Sequence, residues 1–213
     1  MTSLPPLEPV TLEGIHVRLE PLTLLHLPDL CEIGLNSEVW RWTPICMQTP
    51  EEMRSYVEQA LKARELGTAL PFVTIERNSG KIVGSTRFGN IDMAHKGVEI
   101  GWTWIVKEWR RTAINTEAKY LMLRYAFESL GCIRVQFKTD SLNERSRTAI
   151  LRLGAREEGI FRNHMITYNG RFRHTVYYSI ISTEWPVVKG RLEEFLRPPS
   201  DKERLSRMEE SPR

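Results

Sequence analysis

The sequence predicts an α/β fold built on a mixed sheet. From residue 98 to residue 182 it alternates strand, loop, helix, strand, helix and strand, which is the α/β pattern. Before that stretch, strand-like residues 71–76 and 81–88 flank Asn78-Ser79-Gly80, the composition of a hairpin turn. Parallel and antiparallel neighbours therefore share one sheet. The middle of the chain carries neither an internal repeat nor a low-complexity linker, and 213 residues fit one large domain at ~100–200 residues each. Residues 13–197 are taken as that domain, residues 1–12 as a loose proline-rich lead-in, and residues 198–213 as a charged, solvated tail.

The elements follow in order. Residues 16–21 alternate as a short strand, and residues 22–35 place Leu24, Leu27, Leu30 and Cys31 at helical spacing. Thr49-Pro50-Glu51-Glu52 is a helix start, with a Thr cap, Pro at the first position and Glu placed to close a capping box. Met53, Tyr56, Val57, Ala60 and Leu61 give that helix one apolar face, and Gly67 lies past its end. Residues 98–106 form a long strand, and residues 116–130 a helix stopped by Gly131. Ile133, Val135 and Phe137 alternate along the next strand. A helix over residues 143–153 stops at Gly154, and residues 155–162 and 175–182 complete the sheet.

Composition narrows the function. Hydrophobic residues at 41% and charged residues at 27% exclude a disordered or fibrous chain. No apolar run approaches the ~20 residues of a membrane span, and the first six residues have no signal-peptide pattern, so a cytoplasmic protein is expected. Cys31, Cys46 and Cys132 are scattered and lack zinc-ligand spacing, so reduced thiols and no metal are expected. A net charge of +3 favours an anionic ligand without supplying the basic stripe of a nucleic-acid binder.

Four segments carry possible chemistry. Period two puts Val98, Ile100, Trp102, Trp104 and Val106 on one strand face, and Glu99, Gly101, Thr103 and Ile105 on the other. Glu99 beside Gly101 and Thr103 reads either as a polar pocket or as a solvated strand end. Arg110-Arg111-Thr112-Ala113-Ile114-Asn115-Thr116 joins that strand to a helix, where successive N–H groups and two arginines suit a phosphate or form a plain basic loop. Asn143, or Ser141 with Glu144, caps the next helix. His164 lies near the end of the following strand, as a base or a hydrogen-bonded structural residue. The aromatic load of Trp40, Trp42, Trp102, Trp104 and Trp109 is mainly core, with Trp40-Arg41-Trp42 placed in an inter-helix loop able to line a cleft.

Taken together, Glu99-Ile100-Gly101-Trp102, the Arg110 loop and its helix, Asn143 with Ser146, and Leu153-Gly154-Ala155 resemble the GNAT acyltransferase superfamily. Within it they resemble the Rim-type protein N-terminal acetyltransferases, over about residues 12–185. The resemblance implies a mixed, twisted sheet flanked by helices and splayed at its centre to admit acetyl-CoA. The pantetheine arm would pair with the backbone at Trp104, Ile105 and Val106. The pyrophosphate would rest on N–H groups from Arg111, Thr112, Ala113, Ile114, Asn115 and Thr116, with Arg110 opening the loop. Asn143 and Ser146 would reach the thiol end, and Arg147 the adenosine phosphates. Trp40, Arg41, Trp42 and Trp102 would border the acceptor. Two departures from the family pattern stand out: Ala113 and Asn115 take the small positions of a loop that usually reads Gln/Arg-x-x-Gly-x-Gly/Ala, and Ile150 stands where many relatives carry a tyrosine acid. Alanine keeps the backbone donors and asparagine tolerates φ > 0, whereas Ile150 leaves Ser146 or water to protonate the departing thiolate.

The expected reaction is direct acetyl transfer to an amine, at a protein N-terminus or on a small molecule. Such an enzyme must place the amine, remove its proton and steady the oxyanion. Glu99 is the first candidate base, through water, and His164 the second. The alternative is a catalytically weak acyl-CoA-binding sensor or scaffold, which the Ala113, Asn115 and Ile150 departures favour. No nucleic-acid or membrane partner is expected, and a homodimer is left open.

Overall fold

The computed structural model describes residues 4–5 and 7–197; the tail expected over residues 198–213 lies outside the described residues. Eight strands form one sheet: β1 (Leu12–Glu13), β2 (Val17–Pro21), β3 (Leu70–Glu76), β4 (Ile82–Asp92), β5 (Gly97–Ile105), β6 (Arg134–Asp140), β7 (Arg156–Ile166) and β8 (Phe172–Ile181). Their order is β1-β2-β3-β4-β5-β6-β8-β7. Every neighbouring pair is antiparallel except β5 and β6, so the sheet is mixed. That one parallel pairing is short, running only from Gly97 opposite Arg134 to Glu99 opposite Gln136. Beyond Glu99, β5 continues against β4 while β6 continues against β8 to Asp140. The sheet is therefore splayed at its centre.

Helices cover both faces. α1 (Leu27–Gly34), α2 (Ser37–Trp40) and α3 (Pro50–Glu65) lie on one side. Met53, Tyr56 and Val57 of α3 pack with Leu30, Trp40, Val73, Ile75 and Trp104. The foreseen capping box is present: Thr49 Oγ1 accepts from the Glu52 N–H at 3.2 Å, and Glu52 Oε2 accepts from the Thr49 N–H at 3.1 Å. On the other side α4 (Ala113–Arg124), α5 (Glu144–Leu153) and α6 (Trp185–Leu196) bury a larger core with Val98, Ile100, Val135, Phe137 and Val176. Gly154 ends α5 at φ 103°, the left-handed conformation that a side chain resists.

The structure differs from the sequence reading at several boundaries. α4 begins at Ala113, three residues before the expected start, because Thr112 takes extended backbone and caps the Ile114 N–H. Thr116, read as the start, sits inside the helix, where its hydroxyl accepts from Arg152 at 3.0 Å. α6 was not foreseen; Pro186 in its first turn and Trp185, Val188, Leu192 and Leu196 at helical spacing account for it. Within the expected lead-in Leu4 is packed rather than loose, since it is buried and its N–H donates to the Met93 carbonyl. β7 and β8 extend further than expected, which places His164 within β7. Among the described residues no helix is long and apolar enough to cross a membrane.

Candidate functional site

The splay coincides with a defect in β5. Gly101 lies opposite Arg87 and Trp104 opposite Ser85, so Trp102 and Thr103 together face Thr86 alone. This is a β-bulge, with Trp102 at φ 49°. It breaks the period-two division expected from the sequence. Val98 and Ile100 point into the α4 core, but after the bulge it is Thr103 that meets α4, accepting from Lys119 Nζ at 2.5 Å. Trp104 crosses to the α3 side and packs against Trp40, their ring centroids 5.4 Å apart. The Trp102 ring instead folds over Gly89, where any Cβ would collide with it.

Glu99 sits at the last paired position, at the apex of the splay, and is 1% exposed. Its Oε2 takes three donors: Asn90 Nδ2 at 2.7 Å, Gln136 Nε2 at 3.3 Å and Lys138 Nζ at 3.0 Å. Its Oε1 is turned to Gly101, whose missing side chain leaves the room; a Cβ there would lie 2.7 Å from that oxygen. The expected polar pocket is thus a buried carboxylate with a fixed orientation.

Cations surround this carboxylate on the open face of β4, β5, β6 and β8. Lys138 Nζ lies 5.5 Å and the Arg87 guanidinium 5.0 Å from the Trp102 ring centroid. Arg173 donates to the Trp42 carbonyl at 3.4 Å, and Arg171 pairs with buried Asp140. His164 Nδ1 and Thr175 Oγ1 are 3.0 Å apart. Burial, then Lys138 and Arg173, hold the His164 imidazole below its usual range against the pull of Glu99, so it is neutral near pH 7.

Of the expected acceptor-facing aromatics, Trp42 and Trp102 reach this face and Trp40 does not. Trp40 is the last residue of α2, 1% exposed, with its indole N–H donating to the Gly34 carbonyl at 2.7 Å. It is core, because Tyr56 of α3 and Trp104 of β5 close on its ring, each at 5.4 Å between centroids. Arg41 is exposed and lies over Trp42.

The start of α4 gathers positive charge. Arg110 is engaged at once by the Ile105 carbonyl at 3.0 Å and Glu38 at 2.8 Å, which ties α2 to the end of β5. Arg111 is exposed at φ 64°. Burial first, then nearby Arg110 and Arg111 against the pull of Glu38, lower the affinity of Arg145, in the first turn of α5, for its proton. Sequence reading missed Arg145, although its place two residues after an Asn cap was visible. Thr112 caps α4, leaving Ala113, Ile114, Asn115 and Thr116 in its first turns. Asn143 is the α5 cap, its Oδ1 accepting from the Ser146 N–H at 3.2 Å. Arg147 is held by Tyr178, the Ser141 carbonyl, Glu144 and Glu157, so its guanidinium serves an internal network. Val106 gives its N–H to the Val83 carbonyl, so β5's groups facing the splay come from residues before it. Arg87, Lys138 and Arg173 were also missed; a lone arginine inside the buried run of β4 was the available signal.

Comparison with known proteins agrees with this geometry. The family model described as the acetyltransferase (GNAT) domain matches residues 16–156. The Bacillus subtilis (strain 168) protein named "Putative ribosomal N-acetyltransferase YdaF" is 37% identical over 106 residues, 50% of this chain and 57% of that protein, a little over half its length. The crystal structure of a GCN5-related N-acetyltransferase from Brucella melitensis is 31% identical, covering 95% of this chain and 93% of that one, with a TM-score of 0.86. Mycobacterium smegmatis RimJ, solved in complex with CoA-disulfide, shares the fold at 22% identity and a TM-score of 0.78, covering 88% and 95% of the two chains. With the family model spanning well over half of the sequence, the chain belongs to the GNAT family of N-acetyltransferases, enzymes that draw their acyl group from acyl-CoA.

Proposed function

We propose that this enzyme transfers acetyl from acetyl-CoA to a primary amine, and that the amine is the α-amine of a protein N-terminus. The observation that carries the reading is Glu99: a carboxylate held at the apex of the splay with its three donors confined to Oε2. Acetyl-CoA supplies the activated thioester. Arg111 and Arg145 with the N–H groups at the start of α4 fit its phosphates by charge. The edge of β5 past Glu99 fits an extended arm, because β6 no longer occupies it.

Glu99 Oε1 accepts the amine proton through a water. An α-amine, with pKa near ~8, is partly neutral at pH 7 and asks less of its base than a lysine side chain would. A main-chain N–H on the gap side of β5 steadies the charge developing on the carbonyl oxygen. Ser146 or water returns a proton to the thiolate. His164 stands second as base. The name of the Bacillus subtilis relative supports a ribosomal protein as the acceptor.

The test is release of free CoA thiol from acetyl-CoA by the purified protein, with peptides copying N-termini of ribosomal proteins as acceptors and the products read by mass spectrometry. Acetylation at the α-amine is expected. Acetylation confined to lysine side chains would replace the acceptor assignment, and acetyl-CoA binding without turnover would favour the sensor reading.

A further inference from the structure

The face that surrounds Glu99 holds more positive charge than its own residues neutralise. Lys138 is matched by Glu99, and Arg171 by Asp140. Among the described residues neither Arg87 nor Arg173 has a carboxylate within ion-pair distance, although Asp140 and then Glu99 act on Arg173 through space. Both are buried, at 7% and 6% exposure, and the Nε of each has no hydrogen-bond partner. Arg87 is wedged between the rings of Tyr56 and Trp102, at 5.1 and 5.0 Å, in a slot that fixes its plane and leaves its Nε without a hydrogen bond. Tyr56 Oη beside it is likewise buried and unpartnered. An unpaired buried guanidinium opposes folding, since dehydration is not repaid by a counter-charge. Two of them on one face of one site, each with an orphan donor, point to an anion that arrives with the substrate.

We propose that the acceptor carries a carboxylate close to its amine, and that Arg87 and Arg173 bind it. This rests on the acetyltransferase reading of the same site and narrows its substrate class to acidic amines. Guanidinium planes pair with carboxylates through two parallel hydrogen bonds, which orients the acceptor as well as attracting it. With the carboxylate held there, the amine is left to face Glu99, whose own charge is already matched by Lys138. The carboxylate has two possible sources: an Asp or Glu side chain next to the N-terminal residue of a peptide, or the terminal carboxylate of an amino acid or dipeptide.

The experiment uses C-terminally amidated peptides beginning Ala-Asp or Ala-Glu, their Ala-Asn and Ala-Gln counterparts, and dipeptides with free or amidated C-termini. CoA release gives KM, and calorimetry gives the binding of each N-acetylated product and, separately, of acetyl-CoA. Acidic acceptors should show a KM at least ~10-fold below their amides, as charge-assisted hydrogen bonds imply. Arg87→Met and Arg173→Met should each raise KM for acidic acceptors ~10–100-fold, well beyond any change for neutral acceptors, and preserve acetyl-CoA affinity. Arg87→Lys should restore part of the preference. Melting temperature separates this from a structural role: Arg87→Met should melt no lower than the parent, because it removes an unpaired buried charge. Equal KM for acid and amide, or a preference that survives both Met variants, overturns the proposal while leaving the enzyme an acetyltransferase. If every amine proves inert, product binding still decides, and equal binding of acid and amide products overturns it. Failure to bind acetyl-CoA would count instead against the acetyl-CoA reading on which the proposal rests.

Discussion

At Glu99, position and hydrogen bonding divide one carboxylate into two working oxygens. Oε2 is immobilised by Asn90, Gln136 and Lys138, and Oε1 faces the space that Gly101 leaves. Glu99→Gln keeps the size and loses the basicity, so turnover should fall ~10²–10⁴-fold with acetyl-CoA affinity retained, measured by single-turnover kinetics and calorimetry. If His164 were the base, Glu99→Gln would cost little and His164→Gln would abolish the acidic limb of the pH profile. Glu99 beside Gly101 was legible in the sequence as one of two readings, a polar pocket or a solvated strand end; that Gly101 makes room for Oε1 was not. The cations that frame it were not, because Arg87 comes from β4, Lys138 from β6 and Arg173 from β8, and only the strand order makes them neighbours. Lys119 was equally hidden. It is buried beneath the bulge, donating to Thr86 at 3.0 Å and Thr103 at 2.5 Å, and burial lowers its pKa to about 7. The unfolded chain therefore binds more protons than the native one between about pH 7 and the ordinary lysine range, so this residue makes stability rise with pH across that window. Lys119→Met should remove that rise, as read from melting temperatures between pH 7 and pH 9, because Thr86 and Thr103 already pair at 2.7 Å.

The start of α4 is where element-scale physics divides stability from ligand binding. A helix N-terminus welcomes an acidic side chain, so Ala113→Glu should leave the melting temperature unchanged or raise it slightly. The same carboxylate would repel a pyrophosphate from the ground between Arg111 and Arg145. Affinity for acetyl-CoA should then drop at least ~10-fold, measured by calorimetry, as a charge-assisted contact is exchanged for a repulsion. Loss of both stability and binding would mean that the segment is merely structural. Elements with local signals were legible: the Thr49 capping box, the hairpin through Gly80 and the Gly154 stop are fixed by residues a few positions apart. The bulge was not legible. Trp102 at φ 49° is imposed by pairing with β4 on one side and by the gap on the other, and strict alternation gave no sign of it. Nor was the burial of Trp40, since loop and core tryptophans read alike until α1 and α3 are packed around them.

Across the whole molecule the sheet behaves as two half-sheets joined by three residue pairs. β1 to β5 carry α1, α2 and α3, while β6, β8 and β7 lie beyond the seam, and past Glu99 no backbone ladder crosses from β5 to β6. The edges of β5 and β6 at that seam present main-chain polar groups that a folded protein otherwise pairs. An extended ligand that bonds to β5 and anchors its phosphates at α4 would bridge the halves, so binding and stability are linked. A ligand that binds only the native state adds about 2.7 kcal/mol at a hundredfold excess over Kd. For a chain of this size each kcal/mol moves the melting temperature by about 2–4 °C. Acetyl-CoA at that excess should therefore raise the melting temperature by roughly 5–10 °C. The same concentration should give a smaller shift for Ala113→Glu, roughly 3–6 °C if its affinity falls tenfold, and Glu99→Gln should shift like the parent, because in the proposed reaction Glu99 meets the amine and not the phosphates. A shift reduced in both variants would place the ligand against Glu99 rather than along the seam, and a full shift in both would move it away from the splay altogether.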